Sequence, residues 1–447
     1  MTEPENNLRI VKNPEQVFAQ IKPLMNDSEA WYESSRCLFC YNAPCTLACP
    51  TAIDIPLFIR QINTGNPAGA AKTIYGSNYL GNTCAKVCPT EMLCEGACVF
   101  TKMNIKPLEI GRLQNFATDK AIRAKQKLVN VPDFNGRSVA IIGAGPAGIS
   151  CACELRSTGY KVDIFEARNN PSGLALHGVA PYKITNEEAL MEAEFLRKEF
   201  GFDVVYNKRI EGKDDLDSLE TKYDAIFLGI GLGNSTEIKV KGEAKQNCIG
   251  ATEFIEKIKT QPVEMPIARK VIVLGGGNTA MDAASESARL GAESVILAYR
   301  RSQQQMRAYG FEFDFARLSG VVGMFNVAPI EITGEISATG VKFIRTETVE
   351  GKLRNIPGSE FVISCDLVIK ATGQMKQTSM LANISGLAMD ETGRIVVDET
   401  TGQTSNPKYF AGGDAVNGGK EVVNAVAAGK VAGKGIHKFL SKQHGQS

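Results

Sequence analysis

The tightest constraint on this chain is where its cysteines stand. Eight of the twelve lie in the first hundred residues, as Cys37, Cys40, Cys45 and Cys49 before Pro50, then Cys84, Cys88 before Pro89, Cys94 and Cys98. Thiolates so closely spaced, and twice followed by proline, can converge on one inorganic cluster, and the spacing is that of iron–sulfur ligands. Residues 1–130 therefore read as a helical and irregular domain holding two iron–sulfur clusters. Amphipathic stretches fall at Pro56–Ile62 and Ile110–Ala124, without an alternating strand pattern. Structural zinc is the competing use, because four-cysteine zinc sites share the short spacing.

The polar N-terminus, MTEPENNLRIVKNPEQ, lacks the basic start and apolar centre of a secretory signal, so a cytoplasmic location is expected. Reducing compartments disfavour disulfides, which turns clustered cysteine toward metal or redox use. With Lys+Arg at 50 and Asp+Glu at 49 the chain is almost neutral, and nothing favours nucleic acid. No apolar run reaches the ~18 residues of a membrane span. A length of 447 residues predicts about three domains.

At Asn135-Gly136 the character changes. Ser138–Gly143 is a buried-strand run, Pro146–Gly159 a helix ending in glycine, and Lys161–Glu166 the next strand, which makes a βαβ unit. Between strand and helix stands Gly143-Ala144-Gly145-Pro146-Ala147-Gly148. In such a loop the first glycine permits the turn, the second lets backbone approach a pyrophosphate, and the third lets helix pack on strand. The helix N-terminus attracts the anion. Glu166 stands where a carboxylate can accept hydrogen bonds from ribose hydroxyls.

The order repeats: Lys270–Leu274, Asn278–Gly291 and Ser294–Tyr299 surround the loop Gly275-Gly276-Gly277-Asn278-Thr279-Ala280. Here the second strand runs into Arg300-Arg301 instead of an acid. Arginine pairs with a 2′-phosphate that an acid would repel, so NADPH is expected over NADH, with Arg307 assisting. A solvated basic pair is the plainer reading of the same residues. Further strand-like segments are Ala225–Leu228, Val341–Thr346 and Leu367–Lys370. The fold class is α/β, a helical iron–sulfur domain followed by two Rossmann-like domains.

Paired nucleotide units with Ala371-Thr372-Gly373 and a late Gly412-Gly413-Asp414 resemble the two-dinucleotide-binding-domain flavoproteins. The resemblance implies FAD in the first unit, Asp414 beside its ribitol and flavin, and the second unit inserted into the FAD domain. That gives 131–250 and 370–447 for FAD and 251–369 for NAD(P)H. The redox-active cysteine pair common in that class is missing. Cys151 and Cys153 read as small core residues and Cys248 and Cys365 are isolated, so a disulfide reductase is not expected. Where that class has Gly-Gly-Leu, this chain has Ser172-Gly173-Leu174, and the serine is expected to alter packing near the pyrophosphate. His177 is expected in a loop or at the surface.

Over essentially its whole length the chain resembles the flavin and iron–sulfur half of dihydropyrimidine dehydrogenases, including the separate bacterial subunit. The small subunit of NADPH-dependent glutamate synthases is similar too. The stretches that carry the likeness are RCLFCYNAPCTLACPT at Arg36–Thr51, GNTCAKVCPTEMLCEGAC at Gly81–Cys98 and IGRLQNF at Ile110–Phe116. The resemblance implies one 4Fe–4S cluster on Cys37, Cys40, Cys45 and Cys98, and another on Cys49, Cys88, Cys94 and Gln114, with Cys84 spare. From spacing alone, Cys84 completes the second cluster equally well. Glutamate synthase subunits tend to have glutamate where Gln114 stands.

The same resemblance implies an electron-input subunit. Electrons would pass from NAD(P)H through FAD and two clusters to an FMN and iron–sulfur catalytic partner that reduces uracil or thymine, the two forming a hetero-oligomer. Alternatives are a glutamate synthase small subunit, a ferredoxin-linked oxidoreductase subunit or, in another class, a non-catalytic docking subunit. No catalytic acid, base or nucleophile is expected, because the cofactors carry the chemistry.

Overall fold

The computed structural model describes residues 19–260 and 268–444, so the polar opening stretch 1–16 lies outside the described residues. The chain divides into two compact units. One comprises Lys22–Leu176, Ile184–Leu232 and Lys376–Ser447; the other comprises His177–Lys183 and Gly233–Met375 with residues 19–21.

The first unit opens with helices. α1 (Asp27–Ser35) starts in a capping box, in which the Asn26 side chain accepts from the Glu29 N–H and the Glu29 carboxylate accepts from the Asn26 N–H. α2 (Ile55–Asn63) buries Ile55, Phe58, Ile59 and Ile62, one stripe at helical spacing. α3 (Pro67–Ser77), α4 (Gly81–Val87) and α5 (Ile110–Arg123) complete the layer. Phe58, Ile74, Leu113 and Ala117 share its core, against which Cys37, Cys45, Cys49 and Cys94 pack.

A five-stranded parallel sheet follows, built from β1 (Ser138–Ile142), β2 (Lys161–Phe165), β3 (Asp203–Val205), β4 (Ala225–Leu228) and β14 (Tyr409–Ala411) in the order β14-β4-β1-β2-β3. α6 (Pro146–Arg156), α7 (Asn186–Phe200) and the C-terminal α10 (Val422–His444) belong with it. Buried polar contacts join this α/β part to the helical layer. The Glu192 carboxylate on α7 accepts from the Asn82 and Thr83 N–H groups in the first turn of α4, at 2.6 and 2.7 Å, and from the Tyr75 hydroxyl at 2.9 Å. Those amides have no partner within their own helix, so a buried carboxylate satisfies them. Lys86 on α4 pairs with Glu188 on α7 at 2.8 Å, and the Tyr79 hydroxyl donates to Glu154 on α6 at 2.8 Å.

The second unit has its own parallel sheet, β5 (Cys248–Gly250), β6 (Lys270–Leu274), β7 (Ser294–Tyr299), β8 (Val321–Phe325) and β13 (Leu367–Lys370), in the order β5-β13-β6-β7-β8. α8 (Asn278–Arg289) and α9 (Gly310–Leu318) pack with it. An antiparallel ribbon of β9 (Val327–Thr333), β10 (Gly340–Val349), β11 (Lys352–Asn355) and β12 (Phe361–Ser364) completes the unit. The sequence boundaries at 250/251 and 369/370 fall inside this unit. β5 and the segment after β13 hydrogen-bond to its strands, which draws both into it. Among the described residues no helix is long and apolar enough to cross a membrane.

Candidate cofactor-binding sites

The first glycine loop is closed on one side and bare on the other. A Cβ on Gly148 would lie 2.0 Å from the Gly143 carbonyl oxygen, so α6 can approach β1 only through glycine. Over Gly145 the nearest atom to such a Cβ is Gly173 Cα, at 4.0 Å. Pro146 takes the first turn of α6 and Ala147 is buried behind it. Unpaired amides at a helix start, with space above them, fit a pyrophosphate.

Glu166 directly follows β2, with an orientation that sequence could not supply. One carboxylate oxygen accepts from the Ala144 N–H at 2.7 Å and the other from the Arg168 N–H at 2.9 Å. Each oxygen retains acceptor capacity for a ribose hydroxyl. Ser172 adopts φ +77°, donates its N–H to the Ala144 carbonyl at 2.8 Å and turns its hydroxyl to the Ala189 carbonyl of α7 at 3.1 Å. The serine thus packs into the helix behind it. Gly173 lies against Gly145, and Leu174 opens a short helix ending at His177.

The late Gly413-Asp414 pair returns to this loop. A Cβ on Gly413 would sit 3.1 Å from the Ala147 Cβ. Burial raises the Asp414 carboxyl above its ordinary range, while the Lys420 N–H, donating at 3.3 Å, and the charge of Lys376 oppose the shift. Bare amides, an oriented carboxylate and this aspartate fit a flavin dinucleotide.

Around the second loop, Gly275 is closed by Ala371, whose N–H donates to the Leu274 carbonyl at 2.8 Å. The Thr372 hydroxyl and the Gly373 carbonyl bond the backbone of Thr236, so the Ala-Thr-Gly segment borders this loop. Gly276 lies under the Tyr299 ring, and its carbonyl accepts from both Arg307 and Ala308 N–H groups at 3.0 Å. Asn278 Oδ1 accepts from the Tyr309 N–H at 3.2 Å, which ties the 300–309 segment to the start of α8. Gly277 has nothing within 4 Å of a Cβ, and Thr279 beyond it is exposed. Arg300 and Arg307 are exposed and Arg301 half-buried; among the described residues their guanidinium groups make no hydrogen bond or ion pair. An open loop beside three uncommitted cations fits an anionic nucleotide.

Sequence reasoning missed the segment His177–Lys183, which belongs to this second unit although both flanks belong to the first. His177, expected in a loop or at the surface, ends a short helix and is buried with Nδ1 3.4 Å from a Glu256 oxygen, because the segment packs into the unit. Lys183 Nζ pairs with Asp282 on α8 and Glu312 on α9 at 2.7 Å each, and the Tyr182 hydroxyl donates to Asp282 at 2.6 Å. The available signal was Asp282 and Glu286, four apart on one face of α8 among alanines.

The cysteines form two sets. Cys37, Cys40, Cys45 and Cys98 line one recess with Ile55, Ile59 and Leu108. Among the described residues no three His, Cys, Asp or Glu side chains converge so as to hold a single metal ion, whereas a polynuclear cluster takes ligands spaced around it. Burial raises Cys37 and pushes Cys45 up to about 11, and neighbouring thiols add to both shifts.

Cys94 groups with Cys88 and Cys49. Burial raises its thiol well above the usual range, Glu95, Cys88 and Cys49 raise it further, and Lys22 opposes. Cys84 is buried within the core that contains Val139 and Cys151, and its hydrogen bond to Cys88 is the largest influence raising the Cys88 thiol. Gln114 is buried on α5, where Nε2 donates to the Gly81 carbonyl at 2.7 Å. One turn earlier the Gly111 N–H donates to Glu95 at 2.9 Å, so this face of α5 meets the Cys88–Cys94 loop. An amide oxygen and thiolates are both competent ligands for iron, and the residues present fit two clusters. Cys151 and Cys153 are fully buried with thiols raised by burial, which makes them inert core residues.

Residues 14–126 match the family model described as dihydropyrimidine dehydrogenase domain II, 4Fe-4S cluster, and residues 137–429 match pyridine nucleotide-disulphide oxidoreductase. The chain is 34% identical to the glutamate synthase [NADPH] small chain of Escherichia coli over 95% of this chain and 94% of that one. It is 31% identical to the NAD-dependent dihydropyrimidine dehydrogenase subunit PreT of Escherichia coli over 94% and 97%, respectively. Mycobacterium tuberculosis FprA in complex with NADPH superposes with a TM-score of 0.57 at 18% identity, covering 69% of this chain and 86% of that one, which shows a shared fold.

Proposed function

The chain belongs to the pyridine nucleotide-disulphide oxidoreductase family, with a 4Fe-4S domain ahead of it. On that premise we propose that it takes hydride from NAD(P)H at FAD and passes electrons singly through two 4Fe–4S clusters to a partner subunit. The observation that carries this reading is the four-cysteine recess in the same unit as the first glycine loop. Redox centres that exchange electrons have to be held at fixed separation, and the buried Glu192 and Lys86 contacts supply that rigidity.

Cys37, Cys40, Cys45 and Cys98 would hold one cluster. Cys49, Cys88 and Cys94 would hold the other, with Gln114 as fourth ligand. Cys88 packs against the core that continues beneath β1, whereas Cys49 and Cys94, like Cys37 and Cys45, pack against the helical core, so Cys88 is the ligand that reaches toward the FAD domain. The bound groups supply hydride acceptance and single-electron transfer. The chain's residues orient them: Gly145 lets the pyrophosphate approach, the first turn of α6 beyond Pro146 presents its backbone amides, Glu166 takes the ribose, Asp414 stands by the flavin, and Arg300, Arg301 and Arg307 receive a 2′-phosphate.

For the partner, we favour an FMN and iron–sulfur subunit that reduces uracil or thymine to the 5,6-dihydropyrimidine, supported by the PreT likeness and by glutamine at 114. A second reading has a specific observation behind it. The uncommitted arginines suit the NADPH in the name of the glutamate synthase relative better than the NAD in the name of PreT. Purifying the native complex and identifying the copurifying chain separates the two. Uracil-dependent NAD(P)H oxidation supports the first reading; a large amidotransferase partner overturns it.

A further inference from the structure

The second cysteine set has a cation built against it that no ligand assignment uses. Lys22 Nζ donates to the Cys88 carbonyl and to the Thr90 hydroxyl, both at 2.9 Å. Thr90 in turn closes the loop that carries Cys94, its carbonyl accepting from the Leu93, Glu95 and Gly96 N–H groups at 3.1, 2.9 and 3.0 Å. The Lys22 carbonyl is itself held by the buried Lys86 ammonium at 3.2 Å. Both ends of the residue are therefore fixed, and its charge is held against the backbone of the loop that carries Cys88 and Cys94.

We infer that Lys22 is a tuning residue: its ammonium, anchored on the Cys88–Cys94 loop, makes the second cluster easier to reduce than its ligands alone would. The inference rests on the proposed reading that Cys49, Cys88 and Cys94 bind a cluster, and it holds whether Cys84 or Gln114 is the fourth ligand. Net charge and hydrogen bonding around the sulfurs set a cluster's reduction potential, and an added electron is stabilised by a nearby cation. Opposing charges stand on the same loop: the Glu91 carboxylate accepts from the Thr90 hydroxyl at 3.3 Å and Glu95 accepts from the Gly111 N–H at 2.9 Å, with Glu421 as a further acid near Cys88. Lys22 is the cation that offsets them.

The test is a potentiometric titration of the purified full-length protein followed by electron paramagnetic resonance, with iron content measured beside it. Lys22→Gln keeps a hydrogen-bond donor without the charge, Lys22→Met removes both, and Lys22→Arg keeps both. The first two should lower the reduced-to-oxidised ratio of one cluster about tenfold at fixed potential, which is about 59 mV for a one-electron couple, while Lys22→Arg stays at the wild-type value. Should Lys22→Met fail to assemble, Glu95→Gln gives the same test with opposite sign. A wild-type potential in Lys22→Gln, or equal shifts in both clusters, overturns the inference. Iron for only one cluster in the wild type overturns the reading beneath it instead.

Discussion

The two glycine loops make the same turn and differ in what surrounds it. Around the first, Glu166 is locked by two backbone amides, Ser172 is anchored to α7, and Gly413 packs onto Ala147. Around the second, Gly277 is open and three guanidinium groups stand uncommitted at or near the surface. Oriented, partly buried acceptors suit a cofactor that stays. Exposed cations, whose attraction is screened by salt and easily released, suit a ligand that leaves after each turnover. A chain that reloads reducing equivalents from NAD(P)H while retaining its flavin needs one site of each kind.

The sharpest test of that contrast places a methyl group in each loop. Gly148→Ala drives a Cβ into the Gly143 carbonyl oxygen, and overpacking of about 1–3 kcal/mol should reduce copurifying flavin by roughly tenfold or more. Gly277→Ala meets no protein atom, so fold and flavin content should stay at the wild-type level, while the KM for NADPH rises because the methyl stands where backbone approaches the pyrophosphate. Equal loss of flavin in the two variants would break the comparison. Next in size, Arg300→Ala and Arg301→Ala should each raise the KM for NADPH about tenfold, as loss of one exposed charge-assisted contact does, with kcat and the KM for NADH unchanged. A matching rise for NADH would remove the 2′-phosphate assignment.

The helices behind the loops differ as well. α6 buries Cys151 and Cys153, whereas α8 buries Glu286, whose carboxyl is pushed up to about 8 by burial against the lowering effect of Arg289. An acid raised in the folded state holds its proton more tightly there than when unfolded. Its stabilising contribution is therefore full below about 4.5 and declines as pH rises toward about 8, by at most about 1.4 kcal/mol per pH unit. Thermal melts between pH 6 and 9 should show this loss in the wild type and a flatter profile in Glu286→Gln; parallel profiles would rule it out. The smallest effect belongs to Ser172→Gly. Relief of left-handed strain is offset by the lost bond to Ala189 and by a freer unfolded chain, so stability should move by less than about 1 kcal/mol and flavin content should not change.

Much of this architecture is legible in the chain because buried strands are short apolar runs between glycines. Ala225–Leu228, Lys270–Leu274, Ser294–Tyr299 and Leu367–Lys370 are read with the bounds they have. The helix after the first loop reads through to Gly159 yet ends at Arg156, since Ser157 to Gly159 continue as a turn rather than a full helical turn. The antiparallel ribbon shows through only as its longest strand, β10; β11 and β12 are four residues each, and β9 is interrupted by Pro329 beside a break in register.

At the sites, residue type was visible and partnership was not. Spacing names eight cysteines as candidate ligands but cannot tell that Cys84 is buried in the core beneath β1 while Cys98, far from Cys37 in sequence, lines its recess. Glu166 could be placed at the end of a strand, but the amides that orient it lie on either side of a turn. Lys183 carries no local signal, because both of its carboxylates come from helices about a hundred residues or more away.

The central claim is that this chain carries electrons from NAD(P)H through flavin to two clusters. Anaerobic addition of NADPH to the purified protein, read by flavin absorbance and electron paramagnetic resonance together, tests it most directly. The account predicts flavin bleaching accompanied by two distinct one-electron cluster signals, each lost separately in Cys37→Ala and Cys49→Ala. Bleached flavin without any cluster signal, in protein whose iron and sulfide content accounts for both clusters, would contradict it.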